Sequence, residues 1–210
     1  MERVNEIISL LEDGQQDKAL KYYQDVLKSG NNEERFVLGE ELFQLGFLEE
    51  AKDLFLVLLE AYPEEGELLV LAAEVEMEIG NEEAAISYLE QLNPNDPSFP
   101  QALLLLADLY QMDGLYEVSE QKLKEAQKIL PDEVIIDFAL GELYAEQGKI
   151  TEAIKSYQKV LPKEENIAGV NINGRIADNL SAGEHLKMLF LIMKKRLRKK
   201  SRLIRSLILL

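Results

Sequence analysis

The sequence contains no cysteine, no tryptophan and a single histidine, His185. Without cysteine the chain can form no disulfide, no thiolate metal site and no cysteine nucleophile. Residues 1–182 also lack histidine, which excludes Ser-His-Asp and Cys-His catalytic arrangements and most transition-metal sites there. Aromatic residues make up only 7% of the chain. That scarcity favours helices packed through leucine and alanine over a β-sandwich.

Long hydrophobic runs and nucleotide-binding motifs are absent as well. The longest apolar runs, among them Met188–Met193, are far shorter than the roughly 18 residues that a membrane-spanning helix needs. The N-terminus shows no signal-peptide pattern, so we expect a cytoplasmic protein with no membrane span. There is no P-loop and no GxGxxG motif, and the loop Asn93–Asp96 lacks the bidentate glutamate of a calcium site. We therefore expect no cofactor, no metal and no enzymatic activity.

Acidic residues dominate the chain, but they are unevenly distributed. Residues 183–210 carry nine basic side chains and one acidic one, whereas residues 1–182 carry 38 acidic and 14 basic side chains, a net charge of −24. Such a body repels nucleic acids and anionic lipid and attracts basic partners. Paired acids such as Glu33-Glu34 and Glu82-Glu83 fall at predicted helix starts, where they suit the helix dipole. We interpret those pairs as structural.

A glycine recurs along the chain with a period of 34 residues after a first spacing of 32. A small residue follows each glycine by five positions, a bulky residue follows by nine, and another small residue precedes most of the glycines by seven. The glycines are Gly14, Gly46, Gly80, Gly114 and Gly148; the small residues after them are Ala19, Ala51, Ala85, Ser119 and Ala153; the bulky residues are Tyr23, Phe55, Leu89, Leu123 and Tyr157; the preceding small residues are Gly39, Ala73, Ala107 and Gly141. Prolines recur at Pro63, Pro97 and Pro131.

Each element of this pattern has a physical reason. The glycine ends one helix and takes the positive φ of a tight turn. The small residues let two helices cross closely, and the bulky residue fills the groove beside the crossing. The proline stops the second helix before the next repeat begins. The segment 93–100 holds three of the six prolines and is predicted to be a loop at a repeat boundary.

These offsets resemble the tetratricopeptide repeat (TPR), a helix hairpin of 34 residues. The resemblance implies an all-α fold, a right-handed solenoid of antiparallel helix hairpins like those of bacterial TPR proteins. It covers residues 1–182, with five clear repeats and the first helix of a sixth at about residues 166–182. The chain departs from the family in lacking its usual tryptophan, and Ile7 stands where the first repeat should have a small residue.

After residue 182 the periodicity stops, and residues 183–210 are basic and apolar. Reading the same bases one position earlier permits the sequence GAFEDALPYYEKALEEK from position 184. That string has a glycine, an alanine five positions on and a tyrosine nine positions on, as in the repeats upstream. We therefore interpret residues 183–210 as a repeat read in a shifted frame, which makes His185 accidental. The alternative is a basic amphipathic helix that binds a membrane surface or nucleic acid.

The family resemblance also implies which residues line the concave face of the solenoid, because the first helix of each hairpin faces inward. Counting each turn glycine as position fifteen, the fifth, ninth and twelfth positions point into the groove. The fifth positions are Phe36, Val70, Leu104 and Phe138; the ninth are Glu40, Glu74, Asp108, Glu142 and, after a small insertion, Asp178; the twelfth are Phe43, Met77, Gln111 and Ala145.

This face combines an apolar stripe with a ladder of carboxylates. TPR domains that clamp acidic chaperone tails carry basic residues at such positions, so the resemblance does not favour that ligand class. We expect a scaffold or adaptor that binds a basic or amphipathic peptide segment of a partner protein. The alternative function is membrane-surface or nucleic-acid binding through residues 183–210. A second alternative is that the acids simply solvate the surface. Homo-oligomers could form through the exposed C-terminal end.

Overall fold

The computed structural model describes residues 1–167, 169–184 and 186–187. The chain divides into two compact units, Met1–Asp113 (unit 1) and Gly114–Leu210 (unit 2). Unit 1 is built from α1 (Glu2–Glu12), α2 (Gln16–Ser29), α3 (Asn32–Gln44), α4 (Leu48–Ala61), α5 (Gly66–Ile79), α6 (Glu82–Leu89) and α7 (Phe99–Met112). Unit 2 holds α8 (Tyr116–Ile129), α9 (Val134–Glu146), α10 (Ile150–Val160), β1 (Asn166–Ile167), β2 (Val170–Asn171) and a further helix, α11, at residues 172–184.

The turn between the two helices of each hairpin is made by the recurring glycine. These glycines all adopt a positive φ, between 68° at Gly148 and 86° at Gly80. L-residues with a side chain rarely adopt this conformation, whereas glycine takes it at no steric cost. The predicted hairpin turns are therefore confirmed, and they set the antiparallel pairs α1–α2, α3–α4, α5–α6 and α9–α10.

Each unit has its own hydrophobic core. In unit 1 the crossing alanines Ala51, Ala73 and Ala85 are completely buried, together with the Phe55 ring. In unit 2, Ala153 and Tyr157 are completely buried in the same way. Because the same offsets from the turn glycine are buried in successive hairpins, the periodic pattern of the sequence is also the pattern of burial.

At two junctions between neighbouring hairpins, side chains at the same pair of repeat positions contact each other, and we call this pair of positions the junction couple. It consists of the sixth residue after one turn glycine and the fourth residue before the next. In the junction between the second and third hairpins, Lys52 Nζ lies 2.8 Å from Glu76 Oε1, and the Glu76 side chain is only 4% exposed. In unit 2, the Tyr144 hydroxyl donates a 2.8 Å hydrogen bond to Glu120. The junction couple therefore differs in chemistry from one junction to the next.

The structure corrects two expected boundaries. The sixth repeat does not begin as a helix at 166: β1 (Asn166–Ile167) pairs with β2 (Val170–Asn171) in antiparallel orientation, and α11 begins at 172. The loop at 93–100 is present, but α6 already ends at Leu89 and Pro100 lies in the first turn of α7. The prediction that residues 183–210 are a frame-shifted repeat concerns residues that, apart from 183–184 and 186–187, lie outside the described part of the chain.

Candidate functional site

The predicted apolar stripe is only partly available on the surface of unit 1. Phe36, Phe43 and Met77 are half-buried and pack against the core with part of their surface exposed, and Leu104 is also half-buried. Val70 is different, because it is 3% exposed and belongs to the core. Its assignment to the groove was wrong: the short valine side chain packs inward among neighbouring helices and leaves no surface for a ligand.

Two carboxylates of the predicted ladder lie half-buried on unit 1. Burial raises the pKa of the Glu74 carboxyl, and a 2.9 Å hydrogen bond from Gln101 Nε2 opposes that rise only in part. Burial also raises the pKa of Glu40, with repulsion from Glu67 and Glu41 adding to it. Neither Glu40 nor Glu74 forms an ion pair with a described residue. Each therefore presents a poorly solvated carboxylate that lacks a cation within the described chain.

The remaining predicted positions of unit 1 lie on α7. Asp108 is exposed. Gln111 is half-buried and interacts with other groups of the chain. Gln101, at the start of the same helix, reaches back to Glu74 of α5, so α7 and α5 contribute side chains to one surface.

The predicted positions in unit 2 serve its internal packing. The Tyr157 hydroxyl donates a 2.6 Å hydrogen bond to Glu142, whose other oxygen lies 3.0 Å from Arg175. The Phe138 ring lies 6.2 Å from the Tyr157 ring, centroid to centroid, and Ala145 packs against the same core. Glu142 is therefore satisfied by its own chain, and the sequence-based assignment of Glu142 and Phe138 to a free groove is not supported by these contacts. Asp178, on α11, is exposed.

The structure adds residues that the sequence analysis missed. A shallow cleft at the start of α3 and α5 has Phe36 as one wall, and its lining includes Glu33, Leu58, Tyr62, Glu65, Glu67 and Leu68. Glu33, Glu67 and Gln101 all occupy the second position of their repeats. A periodic polar residue at that position was the available signal, but acids in a first helical turn also suit the helix dipole.

Negative charge is concentrated in unit 1, which carries the predicted binding surface. Unit 1 holds 26 acidic and six basic side chains, a net charge of −20, whereas residues 114–182 have a net charge of −4. Two of the six basic residues, Arg3 and Lys52, are paired with Glu34 and Glu76. We call Phe36, Glu40, Phe43, Glu74, Met77, Leu104 and Asp108 the acidic face of unit 1.

The described part of the chain shows neither a metal-binding cluster nor a membrane span. Within residues 1–167, 169–184 and 186–187, no group of three or more His, Cys, Asp or Glu side chains is placed to hold a metal ion. In the same residues, no helix has both the length and the apolar composition needed to cross a bilayer.

Two family models match the chain. The model described as tetratricopeptide repeat matches residues 36–100, and the model described as YpiA-like, tetratricopeptide repeats matches residues 111–165. Together they match hairpins of both units, as the glycine period predicts.

Two curated relatives match most of the chain. The TPR repeat-containing protein YpiA of Bacillus subtilis (strain 168) is 41% identical over 179 residues, which cover 85% of this chain and 42% of that protein. The CTR9 homolog of Arabidopsis thaliana is 26% identical over 160 residues, covering 70% of this chain and 14% of that protein. The chain thus spans less than half of the length of either relative.

Solved structures agree at the level of the fold. PilW, a type IV pilus biogenesis factor, has a TM-score of 0.66 at 18% identity, covering 87% of this chain and 86% of its own. A thermophilic TPR protein of Thermus thermophilus, TTC0263, has a TM-score of 0.60 at 23% identity, covering 85% and 97%. MamA of Desulfovibrio magneticus RS-1 has a TM-score of 0.60 at 22% identity, covering 76% and 92%. The predicted all-α class of antiparallel helix hairpins is confirmed.

Proposed function

The chain belongs to the tetratricopeptide-repeat family, and we propose that it is a protein-binding scaffold whose acidic face on unit 1 binds a basic or amphipathic segment of a partner protein. TPR proteins generally mediate protein–protein interactions. We propose in addition that the bound segment is basic or amphipathic and that the acidic face binds it. Its location in the cytoplasm, expected from the sequence, belongs to the same proposal.

The observation that carries this proposal is the state of Glu74. Its carboxylate is half-buried, its pKa is raised by burial, and its described partner is the neutral amide of Gln101. A charged group held in this way is poorly solvated, so a lysine or arginine from a partner would gain an ion pair at a small additional desolvation cost. Perturbed carboxylates of this kind concentrate at functional sites.

The apolar neighbours define the rest of the ligand. Phe43 and Met77 occupy the twelfth positions of successive repeats, three residues beyond Glu40 and Glu74, and both keep part of their surface exposed. A helical segment with one apolar stripe beside basic side chains matches an apolar stripe beside carboxylates. Acidic ligands would meet a unit of net charge −20 and are disfavoured.

The alternative function, membrane-surface or nucleic-acid binding, depends on residues 183–210. Except for 183–184 and 186–187, these lie outside the described residues. The charge of unit 1 has the same sign as phosphate groups and anionic lipid, so unit 1 itself favours a basic partner.

The test uses the full chain and a synthetic amphipathic peptide, LKKLLKLLKKLLKL-amide, with its acidic counterpart LEELLELLEELLEL-amide. Binding is measured by fluorescence anisotropy at several salt concentrations. Glu74→Lys should weaken binding of the basic peptide by about tenfold or more. Glu83→Lys, which makes the same charge change at an exposed site on α6, should weaken it by less than about twofold. Equal effects of the two variants, or equal binding of the acidic peptide, would show that the acidic face is not the site.

A further inference from the structure

A second cleft lies in unit 1, at the turn side of the junction between the first and second hairpins. Its apolar lining is contributed by Ile7, Leu11, Leu20, Tyr23, Leu42 and Phe47. None of these residues belongs to the acidic face, so the cleft is separate from the surface proposed above. Tyr23 and Leu42 are buried and Leu20 is 49% exposed, which gives the cleft an apolar floor and an accessible wall.

The junction couple explains why the cleft is open here. In the next junction Lys52 occupies the first position of the couple, and its ammonium group reaches Glu76 across the gap. In this junction the equivalent residues are Leu20 and Leu42. Leucine is shorter than lysine and has no charged group with which to form an ion pair, and Leu20 is 49% exposed. An apolar surface is left uncovered as a result.

Acidic groups border this apolar surface. Asp17 is exposed and Glu50 is half-buried, and both contribute to the lining. The nearby Lys18 ammonium group donates its hydrogen bond to Gln15. Within the described residues neither Asp17 nor Glu50 takes part in an ion pair. The cleft therefore offers an apolar interior with two carboxylates, both without a cation, at its border.

We propose that this cleft is a second docking site, which receives one aliphatic or aromatic side chain of a partner protein flanked by lysine or arginine. The apolar side chain would bury the exposed surface of Leu20 and Phe47. The flanking basic groups would supply cations to Asp17 and Glu50, which an acidic or uncharged segment cannot do. A partner anchored at this cleft and at the acidic face would be held at two points on unit 1, with the gain in avidity that two linked contacts give.

The test uses the full chain and the peptide acetyl-KKLFKK-amide, with acetyl-EELFEE-amide as its charge-reversed counterpart. Resonance shifts of Leu11, Leu20 and Phe47 in nuclear magnetic resonance spectra report on the cleft itself. The basic peptide should shift these resonances saturably, and the acidic one should not. Leu20→Lys should weaken this binding by about tenfold or more, because it places a cation at the border and removes an apolar wall.

Leu45→Lys is the matched control, since Leu45 is a similarly exposed leucine of unit 1 (45%) that does not line the cleft. It should change the affinity by less than about twofold. If Leu20→Lys does not fold, as judged by circular dichroism, the double neutralisation Asp17→Asn with Glu50→Gln replaces it and should weaken binding by about threefold or more. In the acidic-face variant Glu74→Lys, the basic peptide should still shift the resonances of Leu11, Leu20 and Phe47.

Three results would overturn the proposal. One is an equal loss of affinity in Leu20→Lys and Leu45→Lys. Another is equal binding of the acidic peptide, which would indicate a purely apolar pocket. The third is self-association of the chain that covers the cleft, seen as a dimer in sedimentation that Leu20→Lys dissociates.

Discussion

The Phe55 ring of α4 lies directly against the α3 backbone at Gly39, where a Cβ atom would be only 2.7 Å from Phe55 Cε1. Gly141 of α9 has the same relationship to Tyr157 of α10, with a corresponding distance of 2.5 Å. The third hairpin has Ala73 and Leu89 at the equivalent positions. In these three hairpins glycine accompanies a ring and alanine accompanies a leucine, so the volume at the crossing is shared between the two helices. The first hairpin departs from this pairing, with Ile7 and Tyr23 at the equivalent positions.

This sharing predicts that Gly39→Ala destabilises unit 1 although alanine is the better helix former. Overpacking against the ring should cost about 1–3 kcal/mol and exceed the gain of up to about 1 kcal/mol in helix propensity. Adding Phe55→Leu should recover part of the loss by recreating an alanine–leucine pair. Urea unfolding of the two single variants and the double variant measures the coupling, and strictly additive effects would contradict the shared-volume explanation.

The Lys52–Glu76 pair predicts a second stability effect. Lys52→Met leaves the Glu76 carboxylate buried with only the 3.0 Å hydrogen bond from Asn81, so the free energy of unfolding should fall by about 3 kcal/mol or more. Combining it with Glu76→Leu should restore most of the loss, because no charge then stays buried.

The matched control for that pair is Lys124→Met. Its partner Glu120 is on the same helix, and the Lys124 side chain is 53% exposed, so its removal should cost less than about 1 kcal/mol. Thermal and urea unfolding of these three variants and of the unchanged chain would measure the difference. A similar small cost at Lys52 would mean that Glu76 is solvated on loss of its cation.

Replacing Ser119 by alanine should stabilise the fold. Its hydroxyl is buried, and it has no hydrogen-bond partner within the described residues; four other repeats have alanine at this position. Ser119→Ala should therefore raise the free energy of unfolding by about 1 kcal/mol. The converse change Ala153→Ser, at the equivalent buried position of α10, should lower it by a similar amount or more. Loss of stability in Ser119→Ala would show that the hydroxyl is satisfied in solution.

Replacing Glu74 by glutamine should change the stability of the fold in a pH-dependent way. Because burial raises its pKa in the folded chain, the folded state holds this proton to higher pH than the unfolded state does, and the ionised carboxylate destabilises the fold at neutral pH. Glu74→Gln should therefore raise stability at pH 7, and this gain should vanish as the pH falls below about 4.3, the pKa of an unperturbed glutamate. Urea unfolding between pH 3 and 8 measures it. The exposed Glu78→Gln on the same helix is the control and should show a smaller gain at pH 7.

The fold was predictable from the sequence because the turn and crossing positions are local requirements. A tight turn needs glycine and a close crossing needs a small residue, whatever the rest of the chain does. The pairing of β1 with β2 was missed because these two-residue strands are too short to show an alternating pattern.

The candidate site was predictable only in part, because a repeat position fixes a direction but not the neighbours found there. The Glu74 carboxylate has no cation beside it among the described residues. Glu142, at the same repeat position, accepts a hydrogen bond from Tyr157 and forms an ion pair with Arg175, both from later helices. Val70 shares the fifth position with Phe36, yet it is buried. Such differences arise from long-range contacts that the period of the sequence does not encode.

The varied junction couples also affect how a repetitive chain assembles in the right order. Similar hairpins can stack out of sequence or exchange between molecules during folding, which produces kinetic traps. If the third hairpin stacked on the first, Glu76 would face Leu20 instead of Lys52 and would be buried without a cation. That penalty disfavours stacking on the wrong neighbour. The different side chains at each junction therefore favour the correct order of the hairpins.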